Sequence, residues 1–134
     1  MKRMPTVIIC ASDSYTGYLV ESALTRVGAR CVYYPAAMDM LRCLDAPTDP
    51  FDYIVVEEAH YGLAKSRMFG EMVSHLSPDS HVFLLRGAQA TEHGFDQKRL
   101  TVLDLKSPMS DVCRGLTDKV TRDFDIYSQA LMVA

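Results

Sequence analysis

Five short runs of apolar, mostly β-branched or aromatic residues are spaced along this chain: Thr6–Cys10, Cys31–Tyr34, Tyr53–Val56, His81–Leu85 and Leu100–Leu105. They are close to continuously apolar, so each reads as a strand buried on both faces. Such strands belong to a parallel sheet covered by helices, and parallel neighbours need a crossover of about a dozen residues or more. Every gap between these runs is long enough for one. Leu19, Val20, Ala23, Leu24 and Val27 recur at helical spacing after a polar loop in which Asp13 or Ser14 can cap, and Gly28 stands where a helix C-cap glycine would. Ala37, Met38, Leu41 and Leu44 predict a second helix, stopped by Ala46-Pro47. Met68, Phe69, Met72, Val73 and Leu76 predict a third, ended by Ser77-Pro78. The stretch from Gly87 to Gly94 is polar and weakly patterned, so a fourth helix there is short or irregular. A last helix, capped by Ser110 or Asp111, carries Cys113, Leu116, Val120, Phe124, Tyr127 and Leu131.

This is a (βα)5 pattern, and its length and composition fit one domain. With 134 residues, 49% hydrophobic and 23% charged, the chain reads as a single globular unit over 1–134, with a core at about 5–125 and a helical extension at about 126–134. A net charge of −3 argues against a phosphate-backbone binder and against an anionic membrane surface. The apolar run after Met1-Lys2-Arg3, Val7 to Ala11, falls short of the roughly 7–15 residues of a signal-peptide core. Cys10, Cys31, Cys43 and Cys113 form no C-x-x-C and read as reduced thiols of a cytoplasmic protein. His60, His75, His81 and His93 show no ligand spacing, and Met38, Met40, Met68, Met72 and Met109 read as core or rim fillers. Phosphate-loop, dinucleotide and hydrolase motifs do not occur. No cofactor and no metal site are expected.

In a doubly covered parallel sheet the working site lies outside the carboxyl ends of the strands. That points to Ala11–Ser14, Glu57–Gly62, Arg86–Ala88 and Lys106–Pro108. At those places the chain resembles the receiver domain of two-component response regulators, the CheY-like family, over roughly residues 5 to 125. Receivers carry an acidic pair after strand 1, a phosphoacceptor Asp ending strand 3, a Ser or Thr ending strand 4 and a Lys ending strand 5. The corresponding places here are Ala11 and Ser12, Glu57, Arg86 and Lys106, and Gly28 matches the family's glycine after helix 1. The resemblance implies a flavodoxin-like three-layer sandwich with strand order 2-1-3-4-5, no catalytic activity of its own, and a protein partner.

Only the lysine keeps its identity. In receivers the acidic pair and the phosphoacceptor hold Mg²⁺, which demands hard oxygen ligands in near-octahedral array. Ala11 and Ser12 remove two carboxylates, and Asp13 lies one place late. Glu57 moves its carboxylate out by ~1.5 Å, enough to spoil a near-attack geometry. Arg86 replaces a small hydroxyl, Leu103 stands where many receivers place an aromatic, and the usual Lys-Pro is Lys106-Ser107-Pro108. The chain therefore resembles a degenerate receiver, or pseudo-receiver, that has lost phosphoacceptance.

Three roles are open to Glu57: a mimic of a phosphorylated Asp, a salt bridge to Arg86 or Lys106 that locks one conformation, or a solvated remnant. In the last helix, Leu116, Val120, Phe124, Tyr127 and Leu131 form a heptad-like stripe. Its first half reads as a core face and its second half as a surface for a partner. In receivers a common dimer face is made by helix 4, strand 5 and helix 5. An alternative comes from Cys10-Ala11-Ser12-Asp13-Ser14-Tyr15-Thr16, a cysteine ending a strand before a helix. It resembles the phosphocysteine loop of phosphotransferase-system IIB components, though it lacks the glycines that let backbone approach a phosphate.

Overall fold

The computed structural model describes residues 3–46, 49–58, 67–87 and 93–124. Five strands, β1 (Thr6–Cys10), β2 (Arg30–Tyr34), β3 (Tyr53–Glu57), β4 (His81–Arg86) and β5 (Leu100–Asp104), form one parallel sheet in the order β2-β1-β3-β4-β5. Among the described residues four α-helices accompany them: α1 (Ser14–Arg26), α2 (Ala37–Asp45), α3 (Arg67–Leu76) and α4 (Met109–Phe124). The expected strand order therefore holds, with each strand within a residue or so of its apolar run.

Side-chain alternation divides the core in two. On one face Val7, Ile9, Tyr53, Val55, Phe83 and Leu85 pack against Val20 and Leu24 of α1 and Val112, Leu116 and Val120 of α4. On the other, Ile8, Cys10, Ile54, Val56, Val82 and Leu84 pack against Met40 and Leu41 of α2 and Phe69 and Val73 of α3. Both faces of the three inner strands are consequently dry, which is why their sequences are apolar throughout.

The last helix begins at Met109, before either predicted cap. The carbonyl of Pro108 accepts from the amides of Asp111 and Val112, so the chain turns into the helix at the proline. Leu116 and Val120 are fully buried against the sheet, as the core-face reading of the first half of the stripe expects, so an interaction face on this helix does not include them. Phe124 is half-buried beside Tyr53, with the Arg3 guanidinium 5.3 Å from its ring centre. Tyr127, Leu131 and Met132 lie outside the described residues. Arg3 also forms a two-pronged pair with Asp52, at 2.7 Å on each arm. Burial opposes charge on Asp52, but Arg3 and the amide and hydroxyl of Thr6 outweigh it and hold the carboxyl below its usual range.

The β4–β5 connection departs most from (βα)5. Among the described residues it holds only a 3-10 turn at Gln97–Arg99, so the face expected from helix 4, strand 5 and helix 5 lacks its first member there. Phe95, from a loop, enters the core edge-on to Phe69. Two glycines allow this loop to lie directly on α3. A Cβ at Gly70 would fall 1.8 Å from the carbonyl oxygen of His93, and one at Gly94, whose φ is +75°, 2.1 Å from that of Arg67. Val102 on β5 is left 47% exposed.

Gly17 has a comparable role between α1 and β2. A Cβ there would sit 2.2 Å from the ring of Tyr33, whose hydroxyl donates to the Ala11 carbonyl at 2.7 Å. In an exposed helix Gly→Ala is favourable by about 1 kcal/mol. Here Gly17→Ala should instead destabilise by about 1–3 kcal/mol, as overpacking does. Urea unfolding checks this, and in a Tyr33→Ala background the same change should become neutral or stabilising.

Candidate functional site

The carboxyl edge of the sheet is organised around the side chain that ends β3. Glu57 is only 8% exposed and shares its face with Tyr53 and Val55. One carboxylate oxygen, Oε1, accepts from the Ser12 amide at 3.1 Å, the Ser12 hydroxyl at 3.0 Å and the Asp13 amide at 3.1 Å. A buried carboxylate is costly unless such donors replace its water. It also stands just before the first turn of α1, where the aligned peptide dipoles favour negative charge. The sequence places these donors there because β1 ends at Cys10 and the chain must turn at Ala11–Asp13 to enter the helix.

Asp13 is directed elsewhere. It is the N-cap of α1, accepting from the Tyr15 amide at 3.2 Å and the Thr16 hydroxyl at 2.8 Å. Of the two predicted caps, Asp13 is the one used. Ala11 is buried; its carbonyl accepts from the Tyr33 hydroxyl and its amide donates to the Tyr34 carbonyl.

Arg86 does not meet Glu57. The β3–β4 register pairs Glu57 with Leu85, so Arg86, one residue on, projects from the opposite face of the sheet. Its Nε lies 3.3 Å from Glu58, the residue after β3, which projects to that same side. Lys106 is exposed, its backbone amide donating to Asp104 at 2.8 Å. Among the described residues Glu57 has no ion pair, so the expected Glu57–Arg86 or Glu57–Lys106 lock is replaced by hydrogen bonds from the β1–α1 turn and an Arg86–Glu58 pair. The pairing was missed because the expectation weighed charge and proximity to the site but not strand parity. His60 lies outside the described residues.

The donor set does not fit magnesium. Two of the three carboxylate places hold Ala11 and Ser12, the nearby Asp13 carboxylate caps a helix, and Oε1 of Glu57 is committed to amides. Among the described residues no group of three His, Cys, Asp or Glu is placed to hold a metal ion.

Cys10 ends β1 on the face opposite Glu57, inside the core beneath α2 and α3. Burial pushes its thiol up to about 11, and the charge of Glu57 adds to this. The other three cysteines are free and half-buried.

Solved structures share this arrangement of elements. The response regulator receiver domain from Bacillus halodurans matches with a TM-score of 0.71 at 16% identity, over 88% of this chain and 97% of that one. The signal receiver domain of an HD domain-containing protein from Pseudomonas fluorescens gives 0.68 at 12% identity, over 97% and 94%. The adenylate cyclase from Rhodopirellula baltica gives 0.71 at 17% identity, over 98% and 97%. The chain thus has the receiver (CheY-like) fold, as its sequence predicts. No protein-family model matches the sequence, and no curated protein matches it. Among the described residues no helix is long and apolar enough to cross a membrane.

Replacing Glu57 by Leu should cost about 1–3 kcal/mol, the scale for removing the acceptor of charge-assisted hydrogen bonds. Glu57→Gln, which keeps an acceptor oxygen, should cost less than half as much. Denaturant midpoints of the two variants against the native chain measure the difference.

Proposed function

We propose that this chain is a receiver-type signalling domain that acts through protein contacts and takes up no phosphoryl group. The reading is carried by the three hydrogen bonds on Glu57 Oε1. Phosphoacceptance needs a carboxylate oxygen free to attack, a cation to draw the phosphoryl group in, and a small hydroxyl beside it. Here one carboxylate oxygen, Oε1, is held by the β1–α1 turn, the ligands for the cation are replaced, and the residue ending β4 is an arginine on the far face. Glu57 is a built-in anion at the start of α1, so the geometry of the turn is held by the polypeptide itself. Among the described residues of this edge no nucleophile stands beside a base, which supports a role for the domain in binding rather than catalysis. Its place of action is the cytoplasm, with a kinase, an output domain or a second copy as its partner.

The phosphocysteine alternative requires a thiolate facing solvent at the mouth of an anion-binding loop. Cys10 is instead 2% exposed and its pKa is raised to about 11, so neither the direction nor the charge state suits that chemistry.

Incubation with acetyl phosphate and Mg²⁺ should leave the intact mass unchanged. One added phosphoryl group retained through desalting, mapped to Glu57 or Asp13, would overturn the reading. Iodoacetamide at pH 8 should leave Cys10 unlabelled in the native chain, where about one thiol in a thousand is ionised for a pKa near 11. Peptide mapping should find it modified only after unfolding.

A further inference from the structure

We propose that the groove between α2 and α3 is the contact surface of a homodimer, occupied by the same surface of a second copy. The groove has a volume of about 440 Å³ and is walled by Met38, Leu41, Met68, Met72 and Leu76. Met38 is 49% exposed, Met68 57% and Met72 37%, while Met40, Phe69 and Val73 on the same helices carry the core contact. The helices therefore present apolar side chains on two sides, and only one side is used by the sheet. Methionine, unbranched and polarisable, suits a surface that must pack against another protein.

Charge selects the occupant. The rim carries Arg42 and Asp45 on α2 and Glu71 on α3, so charges of both signs border the groove; on their own helices Arg42 lies 3.5 Å from Asp39 and Glu71 2.9 Å from Arg67. A two-fold contact sets a patch against itself, and whatever residue faces a second also receives it in return. A rim of one sign would repel its copy. This one can exchange the exposed Arg42–Asp39 and Arg67–Glu71 pairs, of a kind worth little in water, for Arg42 opposite Glu71 of the second copy, twice, by laying α2 of one molecule along α3 of the other. A rim of mixed sign offers no comparable attraction to a strongly acidic or basic partner. Shape agrees, since Met68 and Met72, four residues apart, form a ridge beside the groove that they help to wall. Each copy can lay its ridge in the groove of the other. The surface lies on the opposite side of the sheet from Glu57, so the inference does not depend on the chemistry of the carboxyl edge.

Sedimentation velocity of the full chain across a micromolar concentration series should show a monomer–dimer equilibrium. Met72→Glu should raise the dissociation constant by about tenfold or more, as loss of a central interface side chain does, with an unchanged far-ultraviolet circular dichroism spectrum. Arg42→Glu and Glu71→Arg should each weaken the dimer, and the double variant should recover most of the loss, a result that general destabilisation cannot produce. A monomer at every concentration, which would leave the groove to a different protein, overturns the proposal. So does a dimer indifferent to Met72→Glu, which would place the contact elsewhere, or a double variant no tighter than its parents.

Discussion

One carboxylate oxygen ties the first and third strands together at the edge where a receiver fold keeps its chemistry. Glu57 Oε1 closes the β1–α1 turn by taking two backbone amides and a hydroxyl from adjacent residues. Buried anions persist only when donors replace water, and here the donors come from the segment that must change direction to begin a helix. Once that oxygen is engaged, the neighbouring acid is free for a different task, and Asp13 caps α1. The remaining charges sort by strand parity. Arg86 and Glu58 project to the far face, and Lys106 stands in solvent.

Packing beneath this edge depends on places where a side chain is absent. Gly17 lets the Tyr33 ring lie against α1 and reach the Ala11 carbonyl, which ties the β1–α1 turn to β2 as well. Gly70 and Gly94 bring the β4–β5 connection down onto α3, and that contact seats Phe95 in the core. A loop residue thus supplies apolar volume on the α2–α3 face. Leu100 of β5 packs against the same cluster, while Val102 remains open.

Much of this was legible in the residues. The apolar runs marked the strands, with Thr6–Cys10 matching β1 at both ends, and Gly28, at φ +92°, ends α1 as expected. The position of Glu57 at the end of β3 followed from spacing. Its partners did not, because backbone amides leave no mark in a sequence and the choice between Arg86 and Glu58 depends on register. Periodicity also marked adjacent pairs such as Met68–Phe69 and Met72–Val73 without saying which member faces the sheet. The structure turns Phe69 and Val73 inward and leaves both methionines out, so residues read as fillers became surface. On the last helix the same spacing suits a partner or a sheet, and the sheet takes Leu116 and Val120, the half of the stripe that reads as a core face.

An acyl phosphate hydrolyses, and a switch built on one carries its own timer. A glutamate side chain fixed by hydrogen bonds has no half-life short of that of the polypeptide. On the proposed reading the negative charge at the start of α1 is a permanent part of the chain, so a contact that depends on it cannot be reset by a phosphatase or drained by water. Its strength would then be governed by synthesis, by proteolysis and by how many copies the cell maintains.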